Sequence, residues 1–482
     1  VAFDATWESL DSRKLPDWYP DAKLGIFIHW GVFSVPSYGS EWFWNRWADR
    51  NNKKFNHYQA FVNATENTRF AYPDYVHRFD ATLYDPSFWT EIFAKAGAQY
   101  VVLTSKHHEG FCMWDSRKIP STWNWNSLDV GPRRDLLGEL ATAVRNGVSV
   151  QTKKNLRFGA YHSLYEWFNP AYLHDKGNNF SSSLFVDSKT MPELYELVEK
   201  YKLEVIWSDG DWEASPEYWK SKEFLAWLAT NSSVKDTVVW NDRWGQGTRC
   251  KHGSYWNCAD RYLPNSTVDH YFESCMTLDK SSWGANRRSS AENYLTTKEL
   301  LDTLVKTISR NGNLLINVGP SADGTINPIM VDRLLEMGKW LSVNSEGVYS
   351  TRSWANCSEE DETIMYTRSV GLEGGDVLYV FLTKWKNEIT LSCPEPTAST
   401  RVRMLGVKEG SAPKVVVNRS DPPGSLKKEA MTIELPSLTP DIIPCQHIWV
   451  LAIEGLGNLD LQPHASAGTT KEAGATTRLQ MT

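Results

Sequence analysis

The sequence lacks any long hydrophobic run. No stretch of its 482 residues approaches the roughly 18 apolar residues that a membrane-spanning helix needs, so we expect no membrane partner. A basic excess is also missing, because 58 acidic residues outnumber 51 Lys and Arg and give a formal net charge of -7. This balance argues against a nucleic-acid partner. The hydrophobic share of 41% is typical of a globular protein with a large core.

Cysteine pairs with the spacing of a metal site are absent as well, since no C-x-x-C occurs among the seven cysteines. Cys250 and Cys258 are close enough in sequence to close one loop. A metal set made of these two cysteines, His252, His270 and Cys275 is the open alternative. The missing motif argues against it, and we expect no metal.

The N-terminus lacks both an initiator Met and an apolar signal segment, because the chain opens with Val1-Ala2-Phe3-Asp4. We therefore expect a mature, processed chain without its signal peptide. Six N-glycosylation sequons favour a lysosomal or secreted location. They begin at Asn63, Asn179, Asn231, Asn265, Asn356 and Asn418.

Strand-like and helix-like segments alternate up to about residue 345, the pattern of repeated βα units. Strands are predicted at residues 24–29, 100–105, 157–162, 203–208, 237–241, 270–275 and 313–318. Amphipathic helices are predicted at 86–98, 134–145, 191–201, 216–230, 297–310 and 328–343. Seven such strands predict an α/β fold, a (β/α)8-like TIM barrel that is irregular or short of one regular unit. A doubly wound open sheet is the alternative, but no G-x-G-x-x-G supports it.

After residue 350 the chain changes to short β-branched and aromatic segments separated by Pro, Gly and Asn, as in a small antiparallel β-sandwich. These strands are predicted at 377–383, 388–393, 401–405, 414–417, 431–435 and 447–453. We therefore divide the chain into a catalytic barrel domain at 1–348 and a β-sandwich domain at 349–455. The Gly-, Ala- and Thr-rich residues 456–482 are predicted to be a flexible tail.

Polar side chains follow several of the predicted barrel strands. Asp209 ends the apolar segment 203–207 and precedes Gly210, which permits a sharp turn. His29, the pair His107 and His108, and Arg243 stand near other strand ends. In a barrel these ends meet at one rim, where catalytic groups are found. An N-cap role is the alternative for Asp209, and a structural role is the alternative for each His taken singly.

Such a rim suits a sugar, since imidazole, guanidinium and carboxylate groups bind hydroxyls in fixed directions. The 23 Trp residues point the same way, because aromatic faces pack against the C–H faces of sugars as well as in cores. Trp30, Trp42 or Trp44 could supply such a face. Hydrolysis of a glycoside then needs two carboxyl groups, and Asp209 is a candidate for the first.

An ordered set of motifs from about residue 5 to residue 350 resembles the α-L-fucosidases of glycoside hydrolase family 29, and the animal lysosomal type in particular. The motifs are Phe27-Ile28-His29-Trp30-Gly31, Glu41-Trp42-Phe43-Trp44, Lys106-His107-His108-Glu109-Gly110-Phe111, Tyr161-His162-Ser163-Leu164, Trp207-Ser208-Asp209-Gly210, Asn241-Asp242-Arg243-Trp244-Gly245 and Asn313-Leu314-Leu315-Ile316-Asn317-Val318-Gly319-Pro320.

The resemblance implies a retaining enzyme that removes terminal α-L-fucose from glycoconjugates through a covalent fucosyl-enzyme intermediate, with no cofactor. Fucosylated glycans or glycoproteins are the implied substrates, and a homo-oligomer, often a tetramer, is implied. Asp209 matches the family's nucleophile. The residues that match sugar-binding positions are His29, Glu41, Trp42, His107, His108, Tyr161 and Arg243. Phe43, Phe272 and Trp283 are expected to wall the niche for the fucose methyl group.

The second carboxyl group has two candidates. Glu273 lies near a predicted strand end and resembles the acid/base of some relatives. Asp260 matches a loop carboxylate of animal-type members, and a disulfide between Cys250 and Cys258 would restrain its loop. The sequence favours Asp260 and leaves Glu273 open.

Three other functions remain open. A catalytically silent fucose-binding protein would keep His29, His107, His108 and Arg243 without needing both carboxylates. A glycosidase for another sugar, such as a galactoside, would need a polar group at the methyl niche. A structural adhesion protein would account for the sandwich but not for the polar barrel rim.

Overall fold

The computed structural model describes residues 2–119, 124–354, 357–369, 375–408, 413–417 and 430–459. Seven parallel strands form one sheet in the N-terminal part of the chain. They are β1 (Leu24–Ile28), β2 (Tyr100–Lys106), β3 (Arg157–Ser163), β4 (Val205–Asp209), β5 (Val239–Trp240), β6 (Phe272–Thr277) and β7 (Gly312–Val318). Every residue of β1, β2, β4 and β7 is buried, which explains why these strands are apolar on both faces rather than alternating.

The order of the strands in the sheet is β5-β4-β3-β2-β1-β7-β6. Apart from β5 and β6, strands that follow one another in sequence therefore lie side by side, and the late strand β7 pairs with β1. A doubly wound sheet would instead reverse its order at a switch point. The sheet is curled as in a barrel, with its two edges at β5 and β6.

Residues 254–257 lie between these two edges and bond to both. Ser254 N donates to Trp240 O at 3.0 Å, and Trp256 N donates to Tyr271 O at 3.0 Å. Trp256 also forms an isolated parallel bridge with Phe272. The segment therefore occupies the gap that an eighth strand would fill.

Eleven α-helices are found in the described residues. They are α1 (Trp7–Asp11), α2 (Trp18–Ala22), α3 (Phe43–Ala48), α4 (Phe55–Thr65), α5 (Pro86–Ala96), α6 (Leu136–Asn146), α7 (Pro170–Gly177), α8 (Met191–Tyr201), α9 (Ser221–Thr230), α10 (Thr297–Ser309) and α11 (Pro328–Val348). The predicted start of α5 is confirmed, because the Asp85 side chain accepts hydrogen bonds from Ser87 N and Phe88 N. Helices α1 to α4 and α7 were not predicted. They are short or weakly patterned, and α3 and α4 lie in the long β1–β2 connection.

Antiparallel strands form the C-terminal part. They are β8 (Arg352–Ser353), β9 (Ile364–Arg368), β10 (Leu378–Leu382), β11 (Glu388–Leu391), β12 (Pro396–Met404), β13 (Lys414–Val417), β14 (Met431–Glu434) and β15 (Trp449–Leu456). One sheet has the order β12-β15-β10-β9-β8 and the other β11-β14-β13. Side chains from both sheets, including Leu378 and Val380 of β10 and Ile389 and Ile433 of β11 and β14, share one buried cluster.

Residue 456, where the predicted tail begins, still belongs to β15, and residues 460–482 of that tail lie outside the described part of the chain. No helix in the part that the structure describes is both long enough and apolar enough to cross a membrane.

Candidate active site

A cavity of about 310 Å³ opens at the carboxyl ends of the parallel strands. Nine predicted site residues line the cavity: His29, Glu41, Trp42, His107, Tyr161, Asp209, Arg243, Asp260 and Trp283. Phe27 and Trp207 complete the lining. Two predicted residues, His108 and Glu273, are not part of it.

Asp209 is the last residue of β4, and its carboxylate reaches the cavity wall with 12% of its side chain exposed. Gly210 follows with a φ of 79°, which lets the chain turn away directly after the strand. Tyr161 donates its hydroxyl to Oδ2 of Asp209 at 2.8 Å, and Arg243 Nη1 donates to Oδ1 at 3.0 Å. His108 Nε2 lies 3.4 Å from Oδ2. Both carboxylate oxygens are therefore held in one orientation.

These contacts keep Asp209 ionised. Burial by itself raises the pKa of a carboxyl group, but the hydrogen bond from His108 and the charge of Arg243 outweigh it. The result is a pKa well below the ordinary value. A buried carboxylate that stays charged is the state that a nucleophile needs.

Arg243 links two carboxylates across the cavity wall. Its Nη1 donates to Asp209, and its Nη2 donates to Asp260 Oδ1 at 2.7 Å. The guanidinium lies over the ring of Trp207, with Cζ 4.5 Å from the ring centroid. The Asp209 side chain is nearly buried, whereas 54% of the Asp260 side chain is exposed at the cavity mouth. One carboxylate therefore lies inside the cavity and the other at its opening.

A disulfide between Cys250 and Cys258 restrains the loop that presents Asp260. The Asp242 carboxylate fixes both ends of this loop, because its Oδ2 accepts the backbone N–H groups of Cys250 at 2.8 Å and Cys258 at 3.0 Å. The loop closure that the spacing of Cys250 and Cys258 allowed is therefore present as a disulfide.

The alternative metal set is not assembled. With the two cysteines joined to each other, His252 instead bonds Asp11 through Nδ1 at 2.7 Å. The His270 ring stacks on Trp256 with centroids 4.1 Å apart, and Cys275 is a buried free thiol. The two histidines thus have separate structural partners, Asp11 and Trp256.

The sequence predicted Glu273 near the end of its strand, and this position is wrong. Glu273 lies near the start of the strand. Strand β6 begins at Phe272, two residues later than predicted, so Glu273 is its second residue and is completely buried. Its carboxylate accepts four hydrogen bonds below the cavity floor. The donors are the Tyr19 hydroxyl at 2.6 Å, the Tyr100 hydroxyl at 2.7 Å, Trp207 Nε1 at 2.9 Å and Asn257 Nδ2 at 3.2 Å.

Burial raises the pKa of Glu273, which taken by itself would suit an acid. However, four protein donors surround its carboxylate, and Trp207 stands between Glu273 and the cavity. A general acid must come within hydrogen-bond reach of the leaving oxygen. Asp260 meets that condition better than Glu273.

Hydrogen bonds from neighbouring strands orient the predicted sugar-binding side chains. His29 follows β1, and its Nδ1 is 2.7 Å from Asn317 Oδ1, which leaves Nε2 for a ligand. Asn317 Nδ2 also donates to the Trp283 carbonyl at 2.7 Å. Glu41 Oε2 accepts the backbone N–H groups of Trp283 at 3.2 Å and Gly284 at 3.1 Å. Asn317 thus positions His29 and Trp283, and Glu41 is fixed against the Trp283 loop.

The two adjacent histidines have different surroundings. His107 lines the cavity, and its buried Nδ1 has no hydrogen-bond partner within the described residues. Burial lowers the pKa of His107 well below its ordinary value, so its ring is neutral. His108 instead bonds Ser163 Oγ through Nδ1 at 2.6 Å and faces Asp209. His108 therefore supports the carboxylate from behind.

The apolar part of the cavity differs from the prediction. Trp283 lines it as expected, but the other aromatic walls are Phe27 and Trp207. Phe43 and Phe272 are completely buried and do not line the cavity. Phe43 is the first residue of helix α3 and Phe272 the first residue of strand β6, and both rings lie in the protein interior.

Of the three tryptophans considered for a sugar-binding face, only Trp42 lines this cavity. Trp30 is buried and donates its Nε1 to the Ser321 carbonyl. Trp44 stacks on Tyr72 with centroids 4.6 Å apart.

Three further residues near Asp209 were not predicted. Arg249 pairs with the buried Asp211 through Nε at 3.0 Å and Nη2 at 2.5 Å, and its Nη2 lies 3.8 Å from Asp209 Oδ1. Trp212 stands beside this pair, with its ring 5.6 Å from Arg249 Cζ. The adjacency of Asp211 and Trp212 to Gly210 was a usable signal, whereas nothing in the sequence indicates Arg249.

Comparison with known proteins agrees with this geometry. A family model described as alpha-L-fucosidase matches residues 1–346, and one described as alpha-L-fucosidase C-terminal domain matches residues 358–454. Mouse tissue alpha-L-fucosidase is 46% identical over 452 residues, covering 94% of each chain. Human plasma alpha-L-fucosidase is 45% identical over 454 residues, covering 94% of this chain and 92% of its own. The crystal structure of Thermotoga maritima alpha-fucosidase with a mechanism-based inhibitor matches with a TM-score of 0.74 and 28% identity, over 94% of this chain and 99% of its own.

Proposed function

The chain belongs to the alpha-L-fucosidase family and is a glycoside hydrolase of that kind, and on this premise we propose that it removes terminal α-L-fucose with retention of configuration. The observation that supports the proposal is the pair of carboxylates, Asp209 and Asp260, joined through Arg243 at one cavity. Retaining glycosidases need two carboxyl groups about 5 Å apart. A single guanidinium between the two is compatible with such a short separation.

In the first step Asp209 attacks the anomeric carbon of fucose. A bond forms between its carboxylate oxygen and C1 while the C1–O1 bond breaks, and Asp260 gives its proton to the departing O1. In the second step Asp260 takes a proton from water, the water oxygen bonds to C1, and the bond to Asp209 breaks. Two inversions at C1 restore the α configuration.

The remaining cavity walls suit fucose itself. His29, Glu41 and His107 offer polar atoms to ring hydroxyls, and Trp42 adds an indole N–H and an apolar face. Phe27, together with Trp207 and Trp283, supplies the apolar niche that the C6 methyl group needs and that a galactoside hydroxymethyl would not favour.

Glu273 fits a positioning role in this proposal. Its carboxylate accepts a hydrogen bond from the indole of Trp207, which forms the cavity floor. It also accepts one from the side chain of Asn257, three residues before Asp260. Loss of Glu273 would therefore disturb the nucleophile's surroundings and the acid loop together without removing the acid.

Other features of the chain belong to the same proposal. Residues 254–257 complete a (β/α)8-like barrel in place of a regular strand, and the two C-terminal sheets form a β-sandwich. The domains divide at 348 and 349, with the sandwich ending near 455. We expect fucosylated glycans or glycoproteins as substrates, a homo-oligomer in solution and a lysosomal or secreted location, the last supported by relatives named as tissue and plasma enzymes.

The test is hydrolysis of 4-nitrophenyl α-L-fucoside by the wild type and by Asp209→Gly, with Asp17→Gly, an exposed carboxylate outside the cavity, as the matched control. We expect the control to match the wild type and Asp209→Gly to be inactive. Added azide should restore turnover of Asp209→Gly and yield the β-fucosyl azide. An α-azide, or full activity without azide, would contradict the assignment. A wild type that binds fucose without hydrolysing the fucoside would favour the silent binding protein, and faster galactoside hydrolysis would favour another sugar.

A further inference from the structure

Trp212 is an exposed aromatic residue at the mouth of the cavity. It is 38% exposed, and most large aromatic side chains of this region are buried. Its ring lies nearly parallel to that of Trp42, with centroids 6.3 Å apart and planes 22° apart. It meets the rings of His108 and Tyr165 edge-on, at 5.5 Å and 5.7 Å. The Trp212 side chain is thus fixed from below by residues of the site and still open to solvent.

Arg249 extends this surface. Its Nε and Nη2 donate hydrogen bonds to the Asp211 carboxylate. The Arg249 side chain is still 29% exposed and lies beside the Trp212 ring. Asp211 is itself buried at 2% exposure, so the ion pair is anchored rather than free to move with solvent. Nη1 is the Arg249 nitrogen not used in this pairing. It can donate a hydrogen bond to a ligand above the rim.

The position of the two carboxylates fixes where a leaving group must go. In the proposed reaction C1 of fucose must lie against Asp209 with O1 within reach of Asp260. Asp260 stands at the opening, so the group attached to O1 projects out of the cavity. Trp212 and Arg249 are partly exposed beside this opening, and Arg249 precedes Cys250, which the disulfide joins to Cys258, two residues before Asp260.

We propose that Trp212 and Arg249 form the subsite for the sugar that carries the fucose. The Trp212 ring packs against the C–H face of that pyranose, and Arg249 Nη1 donates to one of its hydroxyls. This inference rests on the proposed function, since it concerns the leaving group of the same reaction. It makes Trp212 a determinant of which glycans are cleaved, rather than of fucose recognition.

The experiment compares two kinds of substrate that share fucose and differ in the leaving group. In α-L-fucosyl fluoride the leaving group is one atom and cannot contact Trp212, whereas fucosyl disaccharides of several linkages place a pyranose at the mouth. For Trp212→Ala, we expect kcat/KM on the best disaccharide to fall at least tenfold more than kcat/KM on the fluoride. Trp212→Phe should recover most of the disaccharide activity. Phe88→Ala, which removes a 54% exposed ring of α5, should change neither value.

Equal losses on both substrates would overturn the subsite, because they would mean that Trp212 acts on fucose through Trp42 and His108. No loss on any disaccharide would overturn it as well. Thermal unfolding of each variant separates these results from misfolding. A wild type that hydrolyses neither substrate would instead refute the proposed function, so the two failures are distinguishable.

Discussion

Separate replacement of Asp260 by asparagine and of Glu273 by glutamine tests which carboxyl group is the acid/base. Both changes conserve shape and remove one ionisable group. Asp260→Asn removes the proton donor, and general acid catalysis contributes about 10²–10⁴ in rate. We expect kcat/KM to fall by that amount for a poor leaving group such as a sugar. The loss should be far smaller for 2,4-dinitrophenol, which departs without a proton.

Glu273→Gln has a different expected size, worked from its four hydrogen bonds. The glutamine oxygen can still accept from Trp207 and Asn257, while its NH₂ group faces the hydroxyls of Tyr19 and Tyr100, which can rotate to accept. Hydrogen bonds to a charged group contribute about 1.5–3 kcal/mol and neutral ones about 0.5–1.5. Relief from burying a charge offsets part of this difference. We expect the free energy of unfolding to fall by about 1–3 kcal/mol, and kcat/KM to fall about tenfold or less for every leaving group.

The assay measures kcat/KM against pH for a series of aryl fucosides, with and without added azide. Urea unfolding of each protein gives the change in stability. The basic limb of the profile should vanish in Asp260→Asn and persist in Glu273→Gln. Azide should rescue only Asp260→Asn, giving the α-fucosyl azide. The reasoning is refuted if Glu273→Gln loses the basic limb, shows the leaving-group dependence and is rescued by azide while Asp260→Asn is not.

Three further predictions concern the surroundings of the site. Tyr161→Phe removes the 2.8 Å hydrogen bond to Asp209, so we expect kcat/KM to fall about tenfold to a hundredfold and its acidic limb to move to higher pH; an unmoved limb would contradict this. Burial lowers the pKa of His162 to about 4. Between pH 6.5 and pH 4 this histidine is therefore protonated in the unfolded chain but neutral in the folded one, and the free energy of unfolding falls by about 3 kcal/mol as the pH is lowered. His162→Gln should flatten this decline in urea unfolding measured against pH, and an unchanged slope would count against it. Cys258→Ser opens the loop closed by Cys250, which should cost about 2.5 kcal/mol in thermal unfolding and lower activity, whereas full activity would show that the disulfide does not position the acid.

Much of the barrel was predictable because its strands are buried on both faces. Continuous apolar segments revealed all seven strands to within two residues at each end, and Asp209 was identifiable as the polar residue that ends one of them. The family resemblance added most of the other predicted site residues, and nine of the predicted set, Asp209 and Asp260 included, line the cavity. Phe27 and Trp207 were missed as walls, since an aromatic residue inside a strand has the same pattern whether it faces the core or a ligand.

The placement of Glu273 shows what the sequence pattern could not specify. The predicted strand was displaced by two residues, and side chains alternate with a period of two, so the sequence indicated the correct face of the sheet. A two-residue displacement still moves a side chain about 7 Å along the strand, which is the difference between the rim and the layer beneath it. The bridge that Arg243 makes between Asp209 and Asp260, and the approach of Arg249 to Asp209, depend on folding as well. They join side chains 17 to 40 positions apart, and local sequence patterns specify such distances only through the packing of the whole barrel.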